Sequence, residues 1–141
     1  MSAKKQEEEV VAVEPEVEKT PETELPSLLK KHKDAPEQSQ IDAWKAKFDD
    51  VYVSGFSEED LYIWRAISRQ EFINLQLTAQ ENQMTQWQME EATCEICILW
   101  PEDVGAKLQK KAGTAGTLSE QIMQNSNFLA PQAASMLVAK L

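Results

Sequence analysis

A chain of 141 residues has room for one compact domain, and its 24 acidic against 14 basic side chains, a formal charge of −10, leave no clustered cationic surface for nucleic acid. No apolar run reaches the roughly 20 residues of a membrane span, and the first residues lack the apolar stretch of a secretory signal. The expectation is a protein that stays in the cytoplasm where it is made.

Residues 1–36 are dominated by Glu, Lys, Pro and Val, as in "EEEVVAVEPEVEKTPETELP", and contain no aromatic residue. Apolar side chains are too few there to offset chain entropy, so a disordered acidic arm is expected. The cluster Lys30, Lys31, His32 and Lys33 reads as solvated linker charge. Residues 37–141 hold all four Trp, both Tyr, all four Phe and both Cys, and form the expected folded domain.

The domain opens with "SQIDAWKAKF", where Ile41, Trp44 and Phe48 fall at helical spacing and Ser39 is placed to cap the first turn. The period then changes. Val51 and Val53 share one face with Tyr52 opposite, "SGFSEED" supplies turn residues, and Leu61, Ile63 and Trp64 resume a β-branched and aromatic run, which predicts a hairpin. In its second strand Tyr62 and Trp64 share one face and Leu61, Ile63 and Arg65 the other, so both faces are expected to be covered. A guanidinium in such a strand needs a carboxylate or carbonyl partner, and a structural ion pair is the reading for Arg65.

Ser68 and Glu71 have the spacing of a capping box, and the helix they open carries Phe72, Leu75 and Ala79 as one stripe with Ile73 and Leu77 beside it. A break is predicted near Asn82, inside the Gln-rich stretch. After "CEICILWP" Pro101 redirects the chain, and "EDVGAKLQKKAGTAGT" predicts a loop with a short helical turn. Thr117 and Glu120 form a second capping-box pattern ahead of Leu118, Ile122 and Met123, with Asn127 as a stop. Pro131 then stands at the first position of a final helix. The fold class is α+β: a small β-hairpin followed by a mainly helical bundle.

The constellations that carry chemistry are few. Cys94 and Cys97 make a C-x-x-C pair, but the one His, at position 32, lies outside the predicted fold, so the set falls short of four zinc ligands. A redox pair belongs at a helix N-terminus, whereas this pair lies late in an apolar run beside Glu91 and Glu95, so the cysteines read as buried. Glu58, Glu59 and Asp60 read as a solvated turn, and "AGTAGT" lacks the Lys and glycine spacing of a phosphate loop. No nucleophile and base can be paired. Catalytic, cofactor and metal residues are therefore all expected to be none, and a small thiol-based enzyme would require a depressed thiol pKa. Four Trp exceed what so small a core ordinarily uses, and Trp is enriched at interfaces. Trp87, Trp44 and Trp100 are the candidate partner-binding residues. Trp87, between Gln86 and Gln88, is expected to be exposed and Trp64 to be core.

A strand pair ending "YIWRAISRQEF", a polar helix, an acidic helix running into "CILWP", and a Gly-Thr segment followed by "LSEQIMQNSNF" together resemble small tail proteins of long-tailed bacteriophages, described as tail assembly chaperones or baseplate-associated structural proteins. The resemblance covers roughly residues 41 to 128. Its most distinctive string is Arg-x-Ile/Leu-Ser/Thr-Arg-x-Glu-Phe/Tyr, here Arg65 to Phe72. It implies a viral protein that works by binding other tail or baseplate proteins or copies of itself, in the host cytoplasm or in the virion tail. It brings no catalytic residue. A cytoplasmic adaptor or anti-host binding protein is the alternative.

Overall fold

The computed structural model describes residues 21–128 and 138–141. Among the described residues two compact units are distinguished: residues 21–35 together with Gly55–Leu61, and Pro36–Ser54 together with residues 62–128.

The first unit contains helix α1, Pro21–Lys31, inside the segment expected to be disordered. Leu25, Leu28 and Leu29 explain the difference, because at i, i+3 and i+4 they form a short apolar stripe that the surrounding charge conceals. Leu29 is buried. A Cβ at Gly55 would fall 2.5 Å from Leu61 Cδ2 and 2.9 Å from Leu25 Cδ2, so the hairpin tip approaches the helix only because that position has no side chain. Lys30 and Lys31 occupy the last turn of α1, where cations complement the helix dipole, so this part of the basic cluster is helical and not linker. His32 joins the tip as well. Its Nδ1 accepts from the Asp34 amide at 3.2 Å, which leaves Nε2 to donate to the Glu59 carbonyl at 3.3 Å. Residues 1–20 of the expected arm lie outside the described residues.

The second unit begins with α2, Gln38–Phe48. Its N-cap is Glu37, with no side-chain cap bond, and Ser39 lies inside the first turn instead of capping it. Strands β1, Val51–Gly55, and β2, Leu61–Arg65, form the predicted hairpin. A third strand, β3 at Ile98–Trp100, adds to β2 in the order β1-β2-β3. The antiparallel register sets Ile63 opposite Trp100 and Trp64 opposite Ile98, with an irregularity between them. Three residues are too few to show a period of two, and Pro101 alone marked the place in the sequence.

Helix α3, Arg69–Asn82, starts at the predicted box: Ser68 Oγ accepts from the Glu71 amide at 3.2 Å, and the Glu71 carboxylate accepts from the Ser68 amide at 3.1 Å. It ends where a break was predicted, with Gln83 in the left-handed region at φ 50°. A further capping box, Thr85 with Gln88, opens α4, Gln86–Cys97. After the short α5, Val104–Leu108, comes α6, Thr114–Gln124. This helix starts before the Thr117 and Glu120 pattern, and its N-cap Gly113 makes no side-chain bond. Packing holds the first turn instead: Thr114 and Ala115 are buried, and a Cβ at Gly116 would lie 3.0 Å from Glu90 Oε2. Asn127 adopts φ 71° and is the expected stop, with the Phe128 amide bonding back to the Met123 carbonyl at 3.0 Å. The final helix predicted from Pro131 lies largely outside the described residues.

Tyr62, Trp64, Ile67, Leu75, Cys94, Cys97, Ile98, Leu108, Ala115, Leu118 and Ile122 form one buried cluster. The apolar area they remove from water is the main stabilising term, at about 25 cal/mol per Å². Two polar relays join β1, β2 and the link after β2 to α6 and the turn that follows it. Trp64 Nε1 donates to Ser54 Oγ at 2.8 Å, and Ser54 Oγ donates to Gln121 Oε1 at 2.5 Å. The Ile67 amide donates to Ser126 Oγ at 2.9 Å, which donates to the Ile122 carbonyl at 2.6 Å. Both satisfy polar atoms that a purely apolar core would orphan.

Candidate protein-binding surface

Arg65 ends β2 with its side chain 11 % exposed. The guanidinium forks onto Glu71, Nη1 to Oε1 at 2.5 Å and Nη2 to Oε2 at 2.9 Å, and Nη2 also donates to the Ile96 carbonyl at 3.0 Å. Phe48 lies under it, 4.6 Å from ring centroid to Cζ. Hydrogen bonds from Arg65 hold the Glu71 carboxyl down at about 2, against the opposing effect of burial and with help from the Ser68 amide and hydroxyl. The ion pair expected from the sequence is thus present, and it fastens strand, helix cap and α4 together. Its one loose end is Nε, buried without a hydrogen-bond partner.

The two thiols are buried on α4. Cys94 Sγ donates to the Ala115 carbonyl at 3.4 Å. Burial is the largest effect in pushing the Cys94 thiol up to about 12, followed by Cys97, Glu90 and Glu95. Burial likewise pushes the Cys97 thiol up to about 12, against the lowering effect of Arg65. A nucleophilic or metal-ligating thiol needs the opposite shift. Among the described residues, no three His, Cys, Asp or Glu side chains gather in a group that could hold a metal ion. The expected behaviour in solution follows: a thiol-directed reagent at pH 7 labels the native protein far more slowly than the denatured protein. Equal rates would show that the thiols are accessible.

The Glu58, Glu59 and Asp60 run forms the hairpin turn, closed by the Asp60 amide on Ser57 Oγ at 3.2 Å. The tryptophans divide as their flanking residues foretell in two cases. Trp64 is 3 % exposed and stacks on Tyr52 at 4.5 Å, whereas Trp87, in the first turn of α4, is 67 % exposed. Trp44 on α2 and Trp100 on β3 are half-buried. The three candidates lie on three different elements, and Trp87 alone is mostly open.

Ile73 and Leu77 on α3 are also exposed, contrary to the expectation that they would flank the core stripe. Leu75 is the only fully buried residue of that helix, so its apolar face is narrower than its composition implies. Ile73 and Leu77 are one turn apart and make a second stripe, which spacing alone does not rank against the first. Phe128, partly exposed, leans on Phe72 with centroids 4.8 Å apart. Among the described residues, no helix is long and apolar enough to cross a membrane. Comparison with protein-family models, curated proteins and solved structures found no match for this chain.

Proposed function

We propose that this chain is a non-enzymatic tail protein of a long-tailed bacteriophage, working by protein–protein binding as a tail assembly chaperone or as a tail or baseplate component. The observation that carries the binding reading is Trp87, a large aromatic side chain 67 % exposed in the first turn of a helix whose later turns bury Thr93, Cys94 and Cys97. An exposed Trp of that kind is a characteristic anchor of an interface. The tail reading comes from the resemblance over Arg65 to Phe72. In this fold those positions build the junction from strand to helix: Arg65 pairs with Glu71, Ser68 caps α3, and Phe72 packs against the core. The string is therefore the signature of a shape, and it speaks for kinship in fold and not for a reaction.

The test is genetic and biochemical. A phage carrying Trp87→Ala is expected to make the protein at normal levels and to lose tail assembly. Immunoblots of purified particles then divide the two roles, since a tail or baseplate component is found in the virion and a chaperone is not. Unimpaired tail assembly by the variant, or capture of a host protein in its place by a Trp87-dependent pull-down, overturns the proposal in favour of an adaptor or anti-host binding protein.

A further inference from the structure

The exposed anchor does not stand alone on its helix. α4 reads "QWQMEEATCEIC", with three Glu and no Lys or Arg. Trp87, Glu91 and Glu95 are spaced i, i+4 and i+8, so they follow one ridge along the helix surface, about 6 Å apart at the backbone. Thr93, Cys94 and Cys97 face the core, and Glu90 is set against Gly116 of α6. Glu91 is half-buried and Glu95 exposed, the latter with its carboxylate near Gly105, 3.6 Å from where a Cβ would stand. Among the described residues, neither Glu91 nor Glu95 has an ion-pair partner.

This arrangement is unfavourable for an isolated helix. Like charges at i and i+4 repel, and a carboxylate in the last turn opposes the helix dipole. Gln at either position would suit the free protein better. A cationic partner would relieve both effects, and an apolar side chain beside it would cover the indole.

Resting on the binding role proposed above, we infer that the Trp87, Glu91 and Glu95 ridge docks a basic segment of a partner protein. An apolar side chain of the segment seats on the indole, and Lys or Arg one and two turns along meets the carboxylates. Charge complementarity selects this occupant. A second copy meeting the ridge symmetrically would place Glu against Glu on a chain whose net charge is already −10.

The test uses the full-length chain and labelled synthetic helical peptides that carry one Leu followed at i+4 and i+8 by Lys, by Gln or by Glu. Fluorescence anisotropy is expected to show the Lys peptide binding roughly fivefold or more tightly than the Gln peptide, the size that two ion pairs at a protein surface provide. The preference should shrink with added salt, and the Glu peptide should bind least. Glu91→Gln with Glu95→Gln should abolish the preference, and Trp87→Ala should abolish binding of all three peptides. Glu95→Gln alone should melt at the same or a higher temperature than the parent, which a merely structural carboxylate would not allow.

Absence of binding by the Lys peptide, equal binding of the Lys and Gln peptides, or a Trp87-dependent self-association of the chain would each overturn the inference. In the phage, loss of tail assembly by Trp87→Ala without loss by the double Gln variant would overturn the basic partner and leave the tail role standing. Normal assembly by Trp87→Ala would remove the tail role itself.

Discussion

Arg65→Ala is expected to destabilise the domain by about 3 kcal/mol, the low end for breaking a buried ion pair because the Glu71 side chain is 32 % exposed and can partly rehydrate. The loss has several sources. The Glu71 carboxylate loses both arms of the fork, the Ile96 carbonyl loses its donor, and Phe48 loses the cation above its ring. Lys would not rescue it, because a point charge cannot reproduce the fork and the carbonyl contact together. Arg65→Met combined with Glu71→Gln should recover part of the loss by removing the orphaned charge, and chemical denaturation of the three proteins checks the order. The same pair predicts an acid response. Glu71 is held at about 2 against an ordinary value of 4.5, so its contribution is complete above about pH 4.5 and is lost as pH falls towards 2. The double variant should lack that component of the acid transition.

Trp64→Ala and Trp87→Ala are expected to fail in opposite ways. Truncating Trp64 empties a site in the middle of the buried cluster, unstacks Tyr52 and leaves Ser54 without its indole donor, and should cost about 3–5 kcal/mol of stability. Truncating Trp87 removes a side chain already largely in water and should change stability by about 0.5 kcal/mol or less, while costing about 2 kcal/mol of partner affinity. Paired melting and binding measurements separate the two. Parallel losses of stability and binding in both variants would mean that Trp87 is a packing residue.

The features that were legible in the sequence share a local cause. The Ser68 and Glu71 box, the break after Asn82, the hairpin and the exposure of Trp87 each follow from residues within a turn or two of the feature itself. The ion-pair partner of Arg65 is also near in sequence, and the need for it could be read from the strand. What was not legible depends on distant packing. Leu25 finds cover at Gly55, the first turn of α6 is held by α4, and β3 exists because β2 offers it an edge. Thr117 and Glu120 show the limit well: a correct local pattern lost to an earlier start favoured by burial of Thr114 and Ala115. For the candidate surface, the exposure of Trp87 was readable from its polar neighbours. The exposure of Ile73 and Leu77 was not, because nothing in α3 itself tells which of its two apolar stripes meets the core.

The two polar relays that tie β1, β2 and the link after β2 to α6 and its following turn set the order in which the chain can complete itself. Ser54 waits for Gln121, 67 positions later, and Ile67 waits for Ser126, 59 positions later. Leu118 and Ile122, which close the core, come from the same late helix. During synthesis the hairpin and α3 therefore emerge before Leu118 and Ile122 can complete their core, and the Trp64 indole meets Ser54 before Ser54 can meet Gln121. A protein proposed to shield other chains during assembly passes part of its own synthesis with its core incomplete, closing it only as α6 arrives.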